Sequence, residues 1–137
     1  MTDEAVTDGA ADDSCIFCAA IAGDVRGSIL HEDELVLAVD VPPGHPEKRG
    51  PVHFVVVPRR HIRDAMALTE DDAPLIARMF TTATALARQA GIAESGFRLL
   101  TNTGPDGNQT VMHLHLHCIG GRRLGPETVW DRDEAPE

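Results

Sequence analysis

Val111-Met112-His113-Leu114-His115-Leu116-His117-Cys118-Ile119 alternates three histidines with apolar side chains. A period of two is the signature of a half-buried β-strand, on which residues i, i+2 and i+4 line one face. His113, His115 and His117 are therefore expected on one face, with Met112, Leu114, Leu116 and Cys118 entering the core from the other. A strand rises about 3.3 Å per residue, which places the outer two histidines roughly 13 Å apart. One metal ion, with Zn–N bonds of about 2 Å, cannot readily collect all three from a straight strand. The three imidazoles are expected to divide their labour.

The chain has 137 residues, enough for one domain with a core. Its 12 basic and 22 acidic residues give a formal charge of −10, which argues against a nonspecific nucleic-acid binder or a protein of anionic membrane surfaces. A small anionic ligand, which responds to the local field, is compatible with that charge. No apolar run reaches the roughly 18 residues of a membrane span, and the acidic start lacks a signal-like apolar region. The expected location is cytoplasmic. Cys15 and Cys18 are three apart, with Cys118 distant, a pattern closer to a reduced metal site than to a disulfide framework.

Residues 1–14 are acidic and rich in Ala, Asp and Thr, and are expected to be a disordered tail. Residues 15–21 read as one or two helical turns. Short strands are expected over 28–31 and 34–41, the run 35–39 lying centrally in a sheet because it is continuously apolar. Residues 42–51 carry four prolines and two glycines and must be a loop, and the β-branched run 52–57 is the next strand. Thr69-Glu70-Asp71-Asp72 resembles a helix N-terminus. Leu75, Ile76, Met79, Phe80, Ala83, Leu86, Ala87 and Ala90 follow at helical spacing, and Gly91 is a natural stop. Residues 96–102 form another strand, and 103–108 a turn-rich loop into the histidine stretch. Strands outnumber long helices without regular crossover helices, so an α+β fold with a mainly antiparallel sheet is expected.

Imidazole can act near neutral pH as nucleophile, general acid or metal ligand. Gly107-Asn108-Gln109-Thr110 offers backbone amides that can form an anion-binding concavity, although an ordinary β-turn would have the same composition.

Gln109 to Ile119 resembles the signature of the histidine triad (HIT) family, in which three histidines alternate with hydrophobic residues. Cys15-Ile16-Phe17-Cys18 is similar to the family's N-terminal start, and Ala38-Val39-Asp40-Val41 to its nucleoside-binding strand end. His53-Phe54-Val55-Val56-Val57-Pro58-Arg59-Arg60-His61 resembles its strand-Pro-basic-His segment, and Asn102 to Gly107 its Asn-x-Gly-x-x-Gly loop. The resemblance spans roughly residues 15–123, leaving 124–137 as a C-terminal tail. Gly120-Gly121-Arg122 is most similar to the Hint branch, whose members hydrolyse purine nucleoside phosphoramidates.

The resemblance implies a HIT-like fold: a five-stranded, mainly antiparallel sheet with one long and one short helix, in a homodimer whose sheets join. It implies that His115 is the nucleophile at the α-phosphorus, that His117 supports the phosphate, and that Thr110 contacts phosphate or leaving group. Gln109 and Asn102 would position phosphate and ribose, Asp40 would accept from the ribose hydroxyls, and Ile16, Phe17 and Val41 would hold the purine base. It further implies a structural zinc on Cys15, Cys18, His61 and His113, the alternative being two buried thiols beside hydrogen-bonded histidines. No redox cofactor is implied. His31, His45 and His53 are expected to be structural or solvated.

The rival readings are a dinucleoside polyphosphate hydrolase, against which Gly120-Gly121-Arg122 speaks, and a nucleotide-binding regulatory module with negligible turnover, against which the intact triad speaks. The loop between Asp40 and His53 is several residues longer than in close relatives and carries Lys48 and Arg49. Thr110 stands where a serine is common, and the C-terminal tail with Trp130 has no counterpart.

Overall fold

The computed structural model describes residues 15–23 and 28–126, so the tail expected over 1–14 and most of that expected over 124–137, Trp130 included, lie outside the described residues. Five strands, β1 (Ile29–Glu32), β2 (Val36–Asp40), β3 (Val52–Pro58), β4 (Phe97–Leu100) and β5 (Leu116–Gly120), form one sheet in the order β1-β2-β3-β5-β4. Every neighbouring pair is antiparallel. The helices are α1 (Ile16–Ile21) and α2 (Ala73–Gln89). This is the expected α+β architecture, with the short and the long helix both in place. β3 occupies the middle of the sheet, and the apolar β2 lies beside it in the interior rather than at the centre.

The alternation of each strand sorts its side chains between the two faces. Val36, Ala38, Phe54, Val56, Leu114, Leu116 and Cys118 pack with Met79, Ala83, Leu86 and Ala87 of α2. Leu37, Val55 and Val57 turn to the opposite face, where Phe17 and Ala20 of α1 cover them. The long helix therefore serves the core, and the short helix covers the face that carries the histidines.

α2 begins as the acidic Thr69–Asp72 segment predicts. Thr69 and Asp72 form a reciprocal capping box over a single 3-10 turn, Glu70–Asp72, that leads into the helix. Arg60 holds the Asp72 carboxylate at 2.6 Å. Gly91, with φ +81°, ends the helix in the left-handed region that suits glycine.

One expectation is corrected. The histidine stretch is not a strand throughout: β5 begins only at Leu116, and Met112 is 47% exposed rather than buried. The ladder to β3 runs from Val52↔Gly120 to Val56↔Leu116, and β4 stops opposite His117. Beyond that point the backbone leaves the sheet. The Leu114 amide donates to the Ile62 carbonyl instead, at 2.6 Å. Met112 lies on this departing segment, outside the alternation that buries Leu114, Leu116 and Cys118. No helix of the described residues is long and apolar enough to cross a membrane.

Candidate active site and metal centre

The segment 102–110 closes on itself before the triad begins. The Gly107 amide bonds the Gly104 carbonyl, and Asn108 takes a positive φ of 63°. A Cβ on Gly107 would stand 2.5 Å from the Thr103 carbonyl oxygen, so only glycine permits this turn. The Gln109 side chain fixes the exit: its Oε1 accepts from the Gly104 amide, and its Nε2 donates to the carbonyls of Arg63 and Val111. Gln109 lines neither of the cavities described below. Its carboxamide is bonded to three backbone groups.

A cleft of about 190 Å³ opens between α1, the end of β2 and the triad. Ile16, Phe17, Val39 and Val41 make an apolar slot, Asp40 lies at the strand end, and Thr110, His115 and His117 close the far side. A second, smaller cavity adjoins it, sharing Thr110 and His117 and reaching Asn102, Asn108, Arg49 and His53. Ile16, Phe17, Asp40, Val41, Thr110, His115 and His117 are thus brought to one cleft, and Asn102 to the cavity beside it.

Hydrogen bonds to backbone set the protonation of each imidazole. His115 Nδ1 lies 2.7 Å from the His113 carbonyl oxygen, which can only accept, so Nδ1 carries the proton. The lone pair is then on Nε2. Burial holds His115 below the usual imidazole range, opposed by its bond to the His113 carbonyl and the Glu47 charge, so the neutral, nucleophilic form dominates at pH 7.

Of the two expectations for His53, structural or solvated, the structure shows the first, and it places the ring beside the triad. It is 1% exposed, and its Nδ1 accepts the Arg49 backbone amide at 3.0 Å. Its Nε2 must carry the proton and donates to His117 Nδ1 at 3.0 Å. His117 is left with its own proton on Nε2, as a donor. Burial pushes His53 down to about 4 and His117 to about 3, with neighbouring positive charges adding to both. The period of β3 places His53 on the face of Val55 and Val57, but only the pairing Val55↔His117 brings it to the triad.

A separate cluster lies behind Phe17, whose ring contacts both His113 and His115 at centroid distances of 5.8 and 5.1 Å. Cys15, Cys18, His61 and His113 are all buried, with four ligand atoms within 4.8 Å of one another. His113 Nε2 donates to the Pro58 carbonyl at 2.8 Å, which turns its unprotonated Nδ1 towards Cys15 Sγ at 3.3 Å and His61 Nδ1 at 3.1 Å. Cys18 Sγ lies 3.2 Å from His61 Nδ1. Burial pushes the Cys15 thiol up to about 11, although the Cys18 amide pulls the other way. Two thiols and two imidazole nitrogens are the donors of a Cys₂His₂ zinc site, whose tetrahedral edges are about 3.3 to 3.8 Å; here the separations run from 3.1 Å up to 4.8 Å. The donors fit such an ion. A carbonyl-bound outer nitrogen is also the usual arrangement for a metal-binding histidine. Cys118 is fully buried away from this set, and burial pushes its thiol up to about 12.

The chain is similar to known proteins in sequence and in fold. The family model described as "Scavenger mRNA decapping enzyme C-term binding" matches residues 14–126. The purine nucleoside phosphoramidase of Escherichia coli is 37% identical over 112 residues, covering 81% of this chain and 90% of that protein. A 14 kDa zinc-binding protein of Brassica juncea is 36% identical over 114 residues, covering 80% and 94%. A HIT family hydrolase from Clostridium thermocellum superposes with a TM-score of 0.78 at 35% identity, over 85% of this chain and 97% of that one.

Proposed function

The chain belongs to the histidine triad (HIT) family, on its Hint-like branch, and on that premise we propose that it hydrolyses purine nucleoside 5′-phosphoramidates through a nucleotidyl-histidine intermediate. The observation that carries this is the tautomer of His115: its Nδ1–H is tied to the His113 carbonyl, so the free lone pair belongs to a neutral imidazole in the cleft wall.

The apolar slot of Ile16, Phe17 and Val41 takes the base, and Asp40 accepts from the ribose hydroxyls. His115 Nε2 attacks the α-phosphorus, the P–N bond to the leaving nitrogen breaks, and that nitrogen takes a proton from solvent and departs as the amine. Water then attacks phosphorus, the P–N bond to His115 breaks, and the nucleoside 5′-monophosphate leaves while a proton returns to solvent. Splitting one displacement into two lowers each barrier. The Nε2–H of His117 and the Thr110 hydroxyl donate to the phosphate oxygens as charge develops. Asn102 completes the phosphate end from the smaller cavity.

Cys15, Cys18, His61 and His113 would hold a zinc ion, a reading supported by their chemistry and by the similarity to a protein named as zinc-binding. With all four positions filled by protein, such an ion supplies folding energy and no open site for chemistry. The protein works as a homodimer joined through its sheets, which light scattering tests directly.

The decisive experiment pairs the unmutated chain with His115→Ala on an adenosine phosphoramidate, with denaturing mass spectrometry of the quenched reaction. Turnover, an adduct of nucleotidyl mass on the unmutated chain, and loss of both in His115→Ala are expected. Turnover in His115→Ala equal to that of the unmutated chain would remove His115 as nucleophile. A diadenosine polyphosphate in parallel tests the rival reading.

A further inference from the structure

The loop 42–51 is a built wall rather than slack chain. His45 and Lys48 amides close turns on the Pro42 and His45 carbonyls, and the Glu47 amide donates to His45 Nδ1 at 3.0 Å. Lys48 Nζ reaches the Val41 carbonyl at 3.0 Å, and Arg49 NH1 the Pro46 carbonyl at 3.0 Å. Arg122 grips the Arg49 carbonyl through two nitrogens, at 3.2 and 2.7 Å. At Gly50 the loop comes so close to β5 that a Cβ would meet the Gly120 carbonyl oxygen at 2.8 Å. Both loop cations are fixed by hydrogen bonds to backbone carbonyls; they keep their charge, which is felt at His53, and Arg49 lines the smaller cavity with Glu47.

Glu47 is placed differently. Its half-buried side chain lines both cavities, at their shared boundary with Thr110 and His117. Among the described residues its carboxylate has no ion pair. Its charge is felt at His115. Asp40 is the other acidic residue lining the cleft, and it sits at the end of β2 where the ribose is assigned.

We propose that Glu47 is a specificity-determining residue for the leaving group, selecting amines that are neutral or cationic over groups that carry negative charge. The inference rests on the phosphoramidate reading above and names the class of amine within it. A carboxylate at the phosphate end repels an anionic leaving group, such as a polyphosphate, a sulfate or an amino acid linked through its amine. It attracts an amine bearing a second, protonated nitrogen. The effect acts on kcat/KM through differential stabilisation of the transition state.

Three adenosine 5′-phosphoramidates of similar length test this, made with 1,2-diaminoethane, n-propylamine and glycine. For the unmutated chain, kcat/KM is expected to fall in that order. In Glu47→Gln the ratio of the first to the third is expected to drop roughly tenfold, the scale of one charge acting across a half-exposed site. In Glu47→Lys the order reverses. The ratio is insensitive to a uniform loss of activity, so a merely structural role for Glu47 leaves it unchanged. Turnover by all three proteins with the same ratio overturns the Glu47 assignment alone. No turnover of any compound by the unmutated chain overturns the phosphoramidate reading and this one with it.

Discussion

His53 Nε2 lies 3.0 Å from His117 Nδ1 across neighbouring strands, and the Arg49 amide behind His53 gives this contact a direction. The proton order runs from the backbone of the loop 42–51, through two imidazoles, to the cleft. His117 is a donor there because of His53, which lines the smaller cavity and not the apolar slot.

His53 is therefore a positioning residue. His53→Ala is expected to lower kcat/KM roughly ten- to a hundredfold, by analogy with the outer partners of metal-bound histidines. Nitrogen NMR on labelled imidazole should then show His117 as a mixture of tautomers. A His117 ring unchanged in both respects would contradict the assignment.

The same pair contributes to the loss of stability in mild acid, alongside His113 and His115, which burial also lowers. The folded protein holds His53 at about 4 and His117 at about 3, against 6.5 for an ordinary imidazole. Between those values the unfolded chain binds more protons than the folded one, so stability falls as pH falls through 6.5 towards 4. Each such proton contributes a slope of about 1.4 kcal/mol per pH unit. Urea unfolding across this range, with chelator present throughout, should show a shallower slope in His53→Gln. The carboxylates of Asp33 and Asp72 are held below their ordinary value, chiefly by hydrogen bonds and nearby arginines that outweigh burial. Their contribution is present above the carboxylate range and lost below it, in a separate and more acidic window.

Metal analysis tests the Cys₂His₂ cluster. Purified protein is expected to carry near-stoichiometric zinc, and Cys15→Ser or Cys18→Ser to lose it. Chelation should lower the melting temperature, since binding to the folded state alone is folding energy. A metal-free unmutated protein would refute the zinc assignment.

Gln109 offers a stability test close to the active site. Gln109→Ala removes partners from three backbone groups, and unsatisfied buried polar groups cost about 1–3 kcal/mol each at most. Denaturation should show a loss in that range. A fall in nucleotide affinity with stability untouched would instead place Gln109 on the ligand.

The amphipathic helix 73–89 and the sorting of triad and core residues between faces are legible because they follow from period alone. Leu75, Met79 and Leu86 predict α2, and Leu114, Leu116 and Cys118 predict the buried face. The start of β5 is not legible, since it depends on Val56 being the last β3 residue paired to it and on Ile62 capturing Leu114. His53 escapes for a similar reason: its face follows from period, its neighbour from register. The Gln109 anchor depends on Arg63, 46 residues away in sequence. Glu47 sits in a proline-rich loop with no periodicity to read.

α1 is six residues long, too short to be a stable helix by itself. Its N-cap is Cys15, whose sulfur accepts the Cys18 amide, and its next two residues line the apolar slot of the cleft. One element thus belongs to two binding equilibria. A cation held by Cys15 and Cys18 would order the same turn that carries Ile16 and Phe17 into the cleft, and linkage would make the benefit to a ligand there mutual. Whatever factor zinc would add to nucleotide affinity, nucleotide would return to zinc affinity, so a nucleotide-saturated protein would hold its metal at a lower free-zinc concentration.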